Sequence, residues 1–351
     1  MKKYLQKITV GALILCFLCT GCASKSRVHH SMDTAMGTII NQTIYVSGGM
    51  GTAETISGEI LSCIETLEKE QLSWRLESSL LYQVNASAGS SEAFPLGSLL
   101  GEVLEQCKKV YAASDGAFDF SIGRVARLWN IDEWAAVNGD GESISFVPPT
   151  DAQLAEALAF VGGDRSVVEG EYVRLPKGMQ LDLGAVGKGI ALDEIKKLLE
   201  QREEVTGAVI SVGGSILTYG SKPEGGTWNV GIVNPHDTAQ SLGTLRLTGQ
   251  WCISTSGDYE RFIEVDGIRY HHILDPRTGH PADSGIRSVT ILTKDGLLSD
   301  ALSTACFVLG VEEGLALAEQ FQAQALLVDT QGDIHMTTGM EQYFYLSNSE
   351  K

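Results

Sequence analysis

The sequence predicts a single large domain of mixed α/β (α+β) class, with mixed sheets flanked by helices. Apolar residues recur at helical spacing in GTAETISGEILSCIETLEKEQ, LGSLLGEVLEQCKKVYAAS, TDAQLAEALAFV, KGIALDEIKKLLEQR and SDALSTACFVLGVEEGLALAEQF. Runs of β-branched or alternating residues read as strands in TIINQTIYV, GAVISVGGS, WNVGIVN, GTLRLTG, RFIEVDGIRYHHIL, SVTILT and AQALLVDT. The two kinds mix without strict β-α-β alternation, which argues for a single mixed α/β or α+β domain. The length would allow one large domain or two, but no internal repeat or low-complexity linker divides the chain. The domain is therefore placed at residues 32–347.

The start of the chain reads as a targeting segment over residues 1–21. MKKYLQK carries Lys2, Lys3 and Lys7, ITVGALILCFLC is apolar but too short to span a bilayer, and Thr20-Gly21-Cys22 follows. A small pair before a cysteine resembles a bacterial lipobox, with Cys19 where leucine is usual. Cys16, Cys19 and Cys22 also spell C-x-x-C-x-x-C, a spacing that elsewhere suggests an iron–sulfur cluster; inside an apolar leader it does not. The expectation is a diacylglyceryl group on Cys22, a polar tether over residues 22–31, and a domain on the extracytoplasmic face of the cell membrane. Two acyl chains anchor stably where one is marginal.

The formal charge is −18, and loss of the leader's three lysines makes it more negative still. So acidic a chain repels nucleic acid, whose binding needs clustered Lys and Arg, and no nucleic-acid partner is expected. Cys63, Cys107, Cys252 and Cys306 are widely spaced and specify no disulfide; Cys306, in ALSTACFVLG, reads as a small buried hydrophobe.

Three stretches can carry chemistry. DLGAVGKG, residues 182–189, has the glycines and lysine of a phosphate cradle. Asp182 stands where a P-loop needs Gly, and Gly189 where it needs Ser or Thr. What remains is an acidic residue ending a strand expected at Met179–Leu183, then a glycine-rich turn, Lys188 and a helix N-terminus that favours an anion; an ordinary strand–turn–helix joint is the plainer alternative. SDALSTACF opens a helix and puts Asp300 and Thr304 four residues apart on one face. A carboxylate and a hydroxyl there suit Mg²⁺, although a dipole-complementing acid with a threonine bonded back to its own helix would look the same. RYHHILDPRTGHP is a strand running into a turn, so His271 and His272 point to opposite faces. A strand-end histidine near Asp275 can be a general base or a satisfied polar group. STSGDYERF adds a hydroxyl-rich turn and SVGGS a glycine corner. SDGAFDFSIG leads on to Leu128-Trp129, and AMGT places Met36 just after the tether.

Taken in order, MGT, LSWR…SSLLYQVN, GAFDFSIG…LW, DLGAVGKGIALD, VGGS, WNVGI, STSGDYERF, HHILDPRTGHP and SDALSTA resemble the FAD:protein FMN transferase family, also called the ApbE family. The resemblance spans nearly all of the chain after the leader. It implies FAD contacts at Met36, Ala117, Phe118, Asp119, Asp182, Lys188 and Ile273. It also implies Mg²⁺ ligands at the Ala185 carbonyl, Asp300 and Thr304. Relatives commonly read DLGGIAKG; Ala185 and Val186 leave a main-chain ligand intact. One departure is Trp74-Arg75, where many relatives have Thr-Tyr. The implied reaction moves FMN from FAD to a Ser or Thr hydroxyl of a target protein and releases AMP, with Lys188 assisting at the phosphates. For the base we expect His272, oriented by Asp275. Expected acceptors are flavin-carrying subunits of membrane redox complexes. Two rivals stay open from sequence: a Mg²⁺-dependent FAD pyrophosphatase giving FMN and AMP, and a non-catalytic FAD-binding lipoprotein.

Overall fold

The computed structural model describes residues 27–139 and 146–347. The leader, Cys22 and the first part of the expected tether lie outside the described residues. At the centre is an eight-stranded antiparallel sheet, its strands lying side by side in chain order. These are β1 (Arg27–Ala35), β2 (Thr38–Val46), β3 (Val205–Val212), β4 (Ser215–Gly220), β5 (Trp251–Gly257), β6 (Ile286–Thr293), β7 (Gln324–Asp329) and β8 (Ile334–Met336).

Alternation along these strands builds two cores, because successive side chains face opposite ways. Cys252, Val289, Ile291, Ala325 and Leu327 join the helical layer, which includes Met50–Thr66, Gly97–Ala113, Gly187–Glu200, Gly296–Leu309 and Val311–Gln320. Ile253, Leu292, Leu326 and Val328 face a smaller sheet made of Trp228–Asn234, Asp237–Leu247 and Phe344–Leu346. With both faces covered, SVTILT and AQALLVDT have no need of polar alternation. A third cluster, including Trp129, Phe146, Leu154, Ile263 and Leu274, consolidates a side lobe. This lobe holds the helices Gly123–Trp129, Ile131–Gly139 and Asp151–Leu158 and the hairpin Phe262–Val265/Ile268–His271. Among the described residues no helix is long and apolar enough to cross a membrane.

The mixed α+β expectation holds, and four local expectations change. Arg27 to Ser31, read as tether, belong to β1, paired with β2 from Arg27↔Val46 onward. The strand expected at Met179–Leu183 reduces to one bridge, Ile122↔Gln180. There the buried Asn85 side chain stands in for a neighbouring strand, donating to Leu181 O (2.9 Å) and accepting from Leu181 N–H (2.7 Å). The long helical run after Ser299 breaks at Gly310, whose φ of +85° no helix accommodates. Finally, Ser254 to Gly257 complete β5 instead of forming a turn.

The helices Gly187–Glu200 and Gly296–Leu309 touch backbone to backbone at their first turns. A Cβ on Gly189 would overlap the Gly296 carbonyl, and one on Gly296 would overlap the carbonyl of Gly189. The last glycine of DLGAVGKG is thus a helix-packing residue, and the close approach it permits positions the site described next. Overpacking of this kind typically costs about 1–3 kcal/mol. Gly189→Ala is expected to lower unfolding stability by that much in chemical denaturation; an unchanged midpoint would show that the two helices can part without cost.

Candidate active site

A two-lobed cleft runs between the first turns of these helices, the end of β5 and the side lobe. Its more enclosed lobe, about 180 Å³, is lined by Ala117, Phe118 and Asp119, by Asp182, Ala185 and Lys188, by His272 and Ile273, and by Asp300 and Thr304. Residues scattered over almost 190 positions of sequence thus share one wall. The second lobe, about 500 Å³, adds Met36, Trp74 and Arg75. Asp132, Asp182, Lys188, Arg261 and His272 border both, so the lobes form one continuous site.

Asp300 is held through both of its oxygens. It is buried, its Oδ2 accepting from the Gly189 N–H (2.6 Å) and its Oδ1 from the Ser215 hydroxyl (2.7 Å). One bond to each oxygen fixes the carboxylate and leaves further lone pairs for a cation. Hydroxyl pairs set the helix against β5: Ser254 with Ser299 (2.7 Å) and Ser256 with Ser303 (2.8 Å). Two residues of strand advance about 6.6 Å and four of helix about 6 Å, so STS and SDALS mesh as a ladder. Thr304 falls one residue beyond it, its hydroxyl without a protein partner among the described residues. Asp300, Thr304 and Ala185 line the same lobe; a carboxylate, a hydroxyl and a main-chain carbonyl are the kind of sparse, hard donor set that could hold Mg²⁺ with substrate oxygens completing its shell. Among the described residues no cluster of three or more His, Cys, Asp or Glu could hold a metal ion.

Lys188 has no hydrogen-bond or ion-pair partner among the described residues, so its ammonium is available to an anion. Asp182 accepts the Gly184 N–H (2.7 Å), and burial pushes its carboxyl above the usual range. Asp119 is held by the Ser121 N–H and hydroxyl (both 2.7 Å) and the Gly163 N–H (3.2 Å); burial raises it too. It lines the cavity chiefly as a clamp on the GAFDFS turn. Met36 occupies the β1–β2 turn with φ +50°, and its N–H donates to Glu68 (2.9 Å). A left-handed non-glycine residue at a cleft is a locally unfavourable conformation held by its surroundings. Ile273 is buried. The Arg75 and Arg127 guanidiniums lie 4.0 and 4.4 Å from the Trp74 ring centre.

His272 and His271 do part to opposite faces. His271 is buried against Phe307 and the Ala282 carbonyl, whereas His272 borders the cleft. His272 Nδ1 lies 3.2 Å from the Arg261 carbonyl. A carbonyl can only accept, so Nδ1 carries the proton and Nε2 keeps a bare lone pair. The expected Asp275–His272 pairing is not formed. Arg277 takes both Asp275 oxygens (2.8–3.2 Å), closing the DPRTG turn on itself. The carboxylate bearing electrostatically on His272 is Asp132. Sequence reading also missed Glu260 and Arg261, both bordering the enclosed lobe; the charged DYER run was the one signal for them. Burial raises the Glu260 carboxyl, and Lys188 opposes that rise.

A family model for the ApbE family matches residues 36–327. The chain belongs to the ApbE family. A Treponema pallidum relative named FAD:protein FMN transferase is 35% identical, the alignment covering 89% of this chain and 88% of the relative. A Vibrio cholerae relative of the same name is 29% identical over 90% of this chain and 92% of its own. Among solved structures, the ApbE protein of Thermotoga maritima superposes with a TM-score of 0.79 at 29% identity, covering 90% of this chain and 99% of that one. The flavin transferase ApbE of Vibrio cholerae gives 0.78 at 27% identity, covering 91% and 99%. The α+β architecture described above is therefore the ApbE fold.

Burial, then the Arg261 and Lys188 charges, push His272 down to about 4, with Asp132 pulling the other way. The unfolded chain takes up this proton near pH 6.5 and the folded protein only near 4. Between those values the unfolded state binds more protons, so the His272 contribution to stability is present above about pH 6.5 and lost as pH falls towards 4. NMR titration is expected to place the His272 midpoint near 4, and His272→Gln should weaken the fall in stability across that window. A midpoint near 6.5 would contradict the desolvated, neutral imidazole.

Proposed function

We infer that this chain is an FAD:protein FMN transferase: it binds FAD and passes the FMN half to a Ser or Thr hydroxyl of a target protein, releasing AMP. One observation carries the reading. In a chain of this family, Lys188, His272, Ala185, Asp300 and Thr304 line one lobe of about 180 Å³ that opens into a second of about 500 Å³.

The residues divide the work. Lys188 binds the diphosphate and offsets its charge. Ala117, Phe118 and Ile273 supply apolar wall, Asp182 a polar contact, and Met36 borders the second lobe. The acceptor oxygen forms a bond to the FMN phosphorus as the phosphoanhydride bond to AMP breaks, and AMP departs with the bridging oxygen. The hydroxyl proton goes to Nε2 of His272, held in the correct tautomer by the Arg261 carbonyl rather than by Asp275. A neutral, desolvated imidazole is a weak base in the empty site. The donor's negative charge offsets Lys188 and Arg261 and raises its basicity when the substrate is present. Asp300, Thr304 and the Ala185 carbonyl would hold Mg²⁺, which would neutralise the diphosphate and favour the leaving phosphate.

The lipobox supports a lipid anchor at Cys22 on the extracytoplasmic face of the cell membrane. There the domain would meet flavin-accepting subunits of membrane redox complexes, and its acidic surface keeps it off nucleic acid. Incubation with FAD, Mg²⁺ and an acceptor domain is expected to add the mass of one FMN to the acceptor, read by mass spectrometry. AMP released at full rate without acceptor would mean hydrolysis; FAD held tightly after chelation with no turnover would mean a binding protein. Asp300→Ala should cut AMP release by roughly 100-fold or more, the scale of losing one preorganised electrostatic group, while sparing much of the FAD binding. Undiminished release by that variant would remove the metal assignment.

A further inference from the structure

Two cationic residues border both lobes of the cleft among the described residues, Lys188 and Arg261. They differ in one respect. Lys188 has no hydrogen-bond or ion-pair partner among the described residues, whereas the Arg261 guanidinium donates to Asp132 Oδ1 (3.0 Å). Arg261 precedes the Phe262–Val265 strand of the side-lobe hairpin, and Asp132 begins the Ile131–Gly139 helix just after Asn130 turns left-handed at φ +47°. The ion pair therefore bridges two elements where the lobes join.

We propose that Arg261 is a diphosphate-binding residue of this cleft, parked on Asp132 when the site is empty and handed to the donor's phosphates when it fills. The inference rests on the dinucleotide reading above and deepens it.

Chemistry favours the exchange. Both side chains are more than a third exposed (37% and 45%), so water competes for both partners and the pair can exchange. A guanidinium binds a phosphate through two parallel bonds, while here it makes one hydrogen bond to one carboxylate oxygen. Asp132 stays ionised to hold it: burial opposes the charge, but the field and hydrogen bond of Arg261 outweigh that and keep the carboxyl below its ordinary range. The location is also apt. A dinucleotide is two ring systems joined by a diphosphate, and a cleft of two lobes puts the joint where Lys188 and Arg261 stand. The Arg261 main chain meanwhile receives the His272 N–H (3.1 Å) and its Nδ1–H (3.2 Å), so the side chain can change partner while the carbonyl keeps the imidazole in place. Nothing in DYERF or WNIDEW alone couples these residues; the pair joins positions 129 apart in sequence.

The test is binding of FAD, ADP and riboflavin to the full-length protein with Mg²⁺, by calorimetry, for Asp132→Asn, Arg261→Ala, Arg261→Lys and the double variant Asp132→Asn/Arg261→Ala. Thermal unfolding checks that each is folded. Releasing Arg261 by Asp132→Asn is expected to tighten FAD and ADP about threefold or more, and Arg261→Ala to weaken them about tenfold, with Arg261→Lys between wild type and Ala. Riboflavin, lacking phosphate, should change by less than about twofold in every variant. The double variant should match Arg261→Ala, because Asp132 acts through Arg261. If Asp132→Asn tightens FAD equally in the Arg261→Ala background, simple removal of a negative charge explains the gain and the exchange is wrong. If Asp132→Asn leaves FAD unchanged or weakens it, the pair is a structural strut and the proposal falls. If wild type ignores FAD but ADP shows the full pattern, the diphosphate role stands and the flavin reading fails. Binding of neither sinks both.

Discussion

The functional cleft depends on one carboxylate. Asp300 is buried at the start of a helix and accepts from a backbone N–H of the neighbouring helix and from a strand hydroxyl. Each contact comes from a different part of the chain, and each is possible because something small lets it approach. Gly189 and Gly296 remove the side chains that would hold the two helices apart, and Ser215 follows directly on the glycine corner of SVGGS. A buried carboxylate without such partners would be costly. With them it becomes a fixed point against which Thr304, Lys188 and the Ala185 loop are placed.

The sheet explains why this point can be rigid. Eight antiparallel strands in sequential order make a platform covered on both faces, and β4 and β5 run through its middle. The hydroxyl ladder from Ser254 and Ser256 to Ser299 and Ser303 ties the Gly296–Leu309 helix to that platform at two successive steps. The side lobe is the contrasting part. Its core is separate, centred on Trp129, whose indole N–H donates to the Gly279 carbonyl (2.6 Å). That bond links the lobe to the DPRTG turn. Rigid platform and separate lobe meet at the cleft, which is where a substrate that must enter and leave would be expected to bind.

The sequence made the architecture legible wherever periodicity was long. Most of the expected helices appear close to their anticipated bounds, and the alternating strands assemble as read. Boundaries failed where a single nonlocal contact decides the matter. Asn85 satisfies the backbone at Leu181, so no strand forms at 179–183, and Arg27 to Ser31 look polar because an edge strand faces water on one side. The site showed the same split. Asp182, Lys188, His272, Asp300 and Thr304 stand in local motifs and were visible. Asp275 was assigned by proximity in sequence, yet Arg277, closer still, claims it. Ser215 and Asp132 carry no local signature and Arg261 only the charged DYER run, since their roles come from partners 85 and 129 positions away.

The most direct measurement is anomalous diffraction from a crystal soaked with Mn²⁺, standing in for Mg²⁺, together with FAD. A peak bounded by the Asp300 carboxylate, the Thr304 hydroxyl and the Ala185 carbonyl, with the flavin dinucleotide's diphosphate against it and Lys188, is the predicted result. Metal bound elsewhere, or a diphosphate remote from these oxygens, would contradict it.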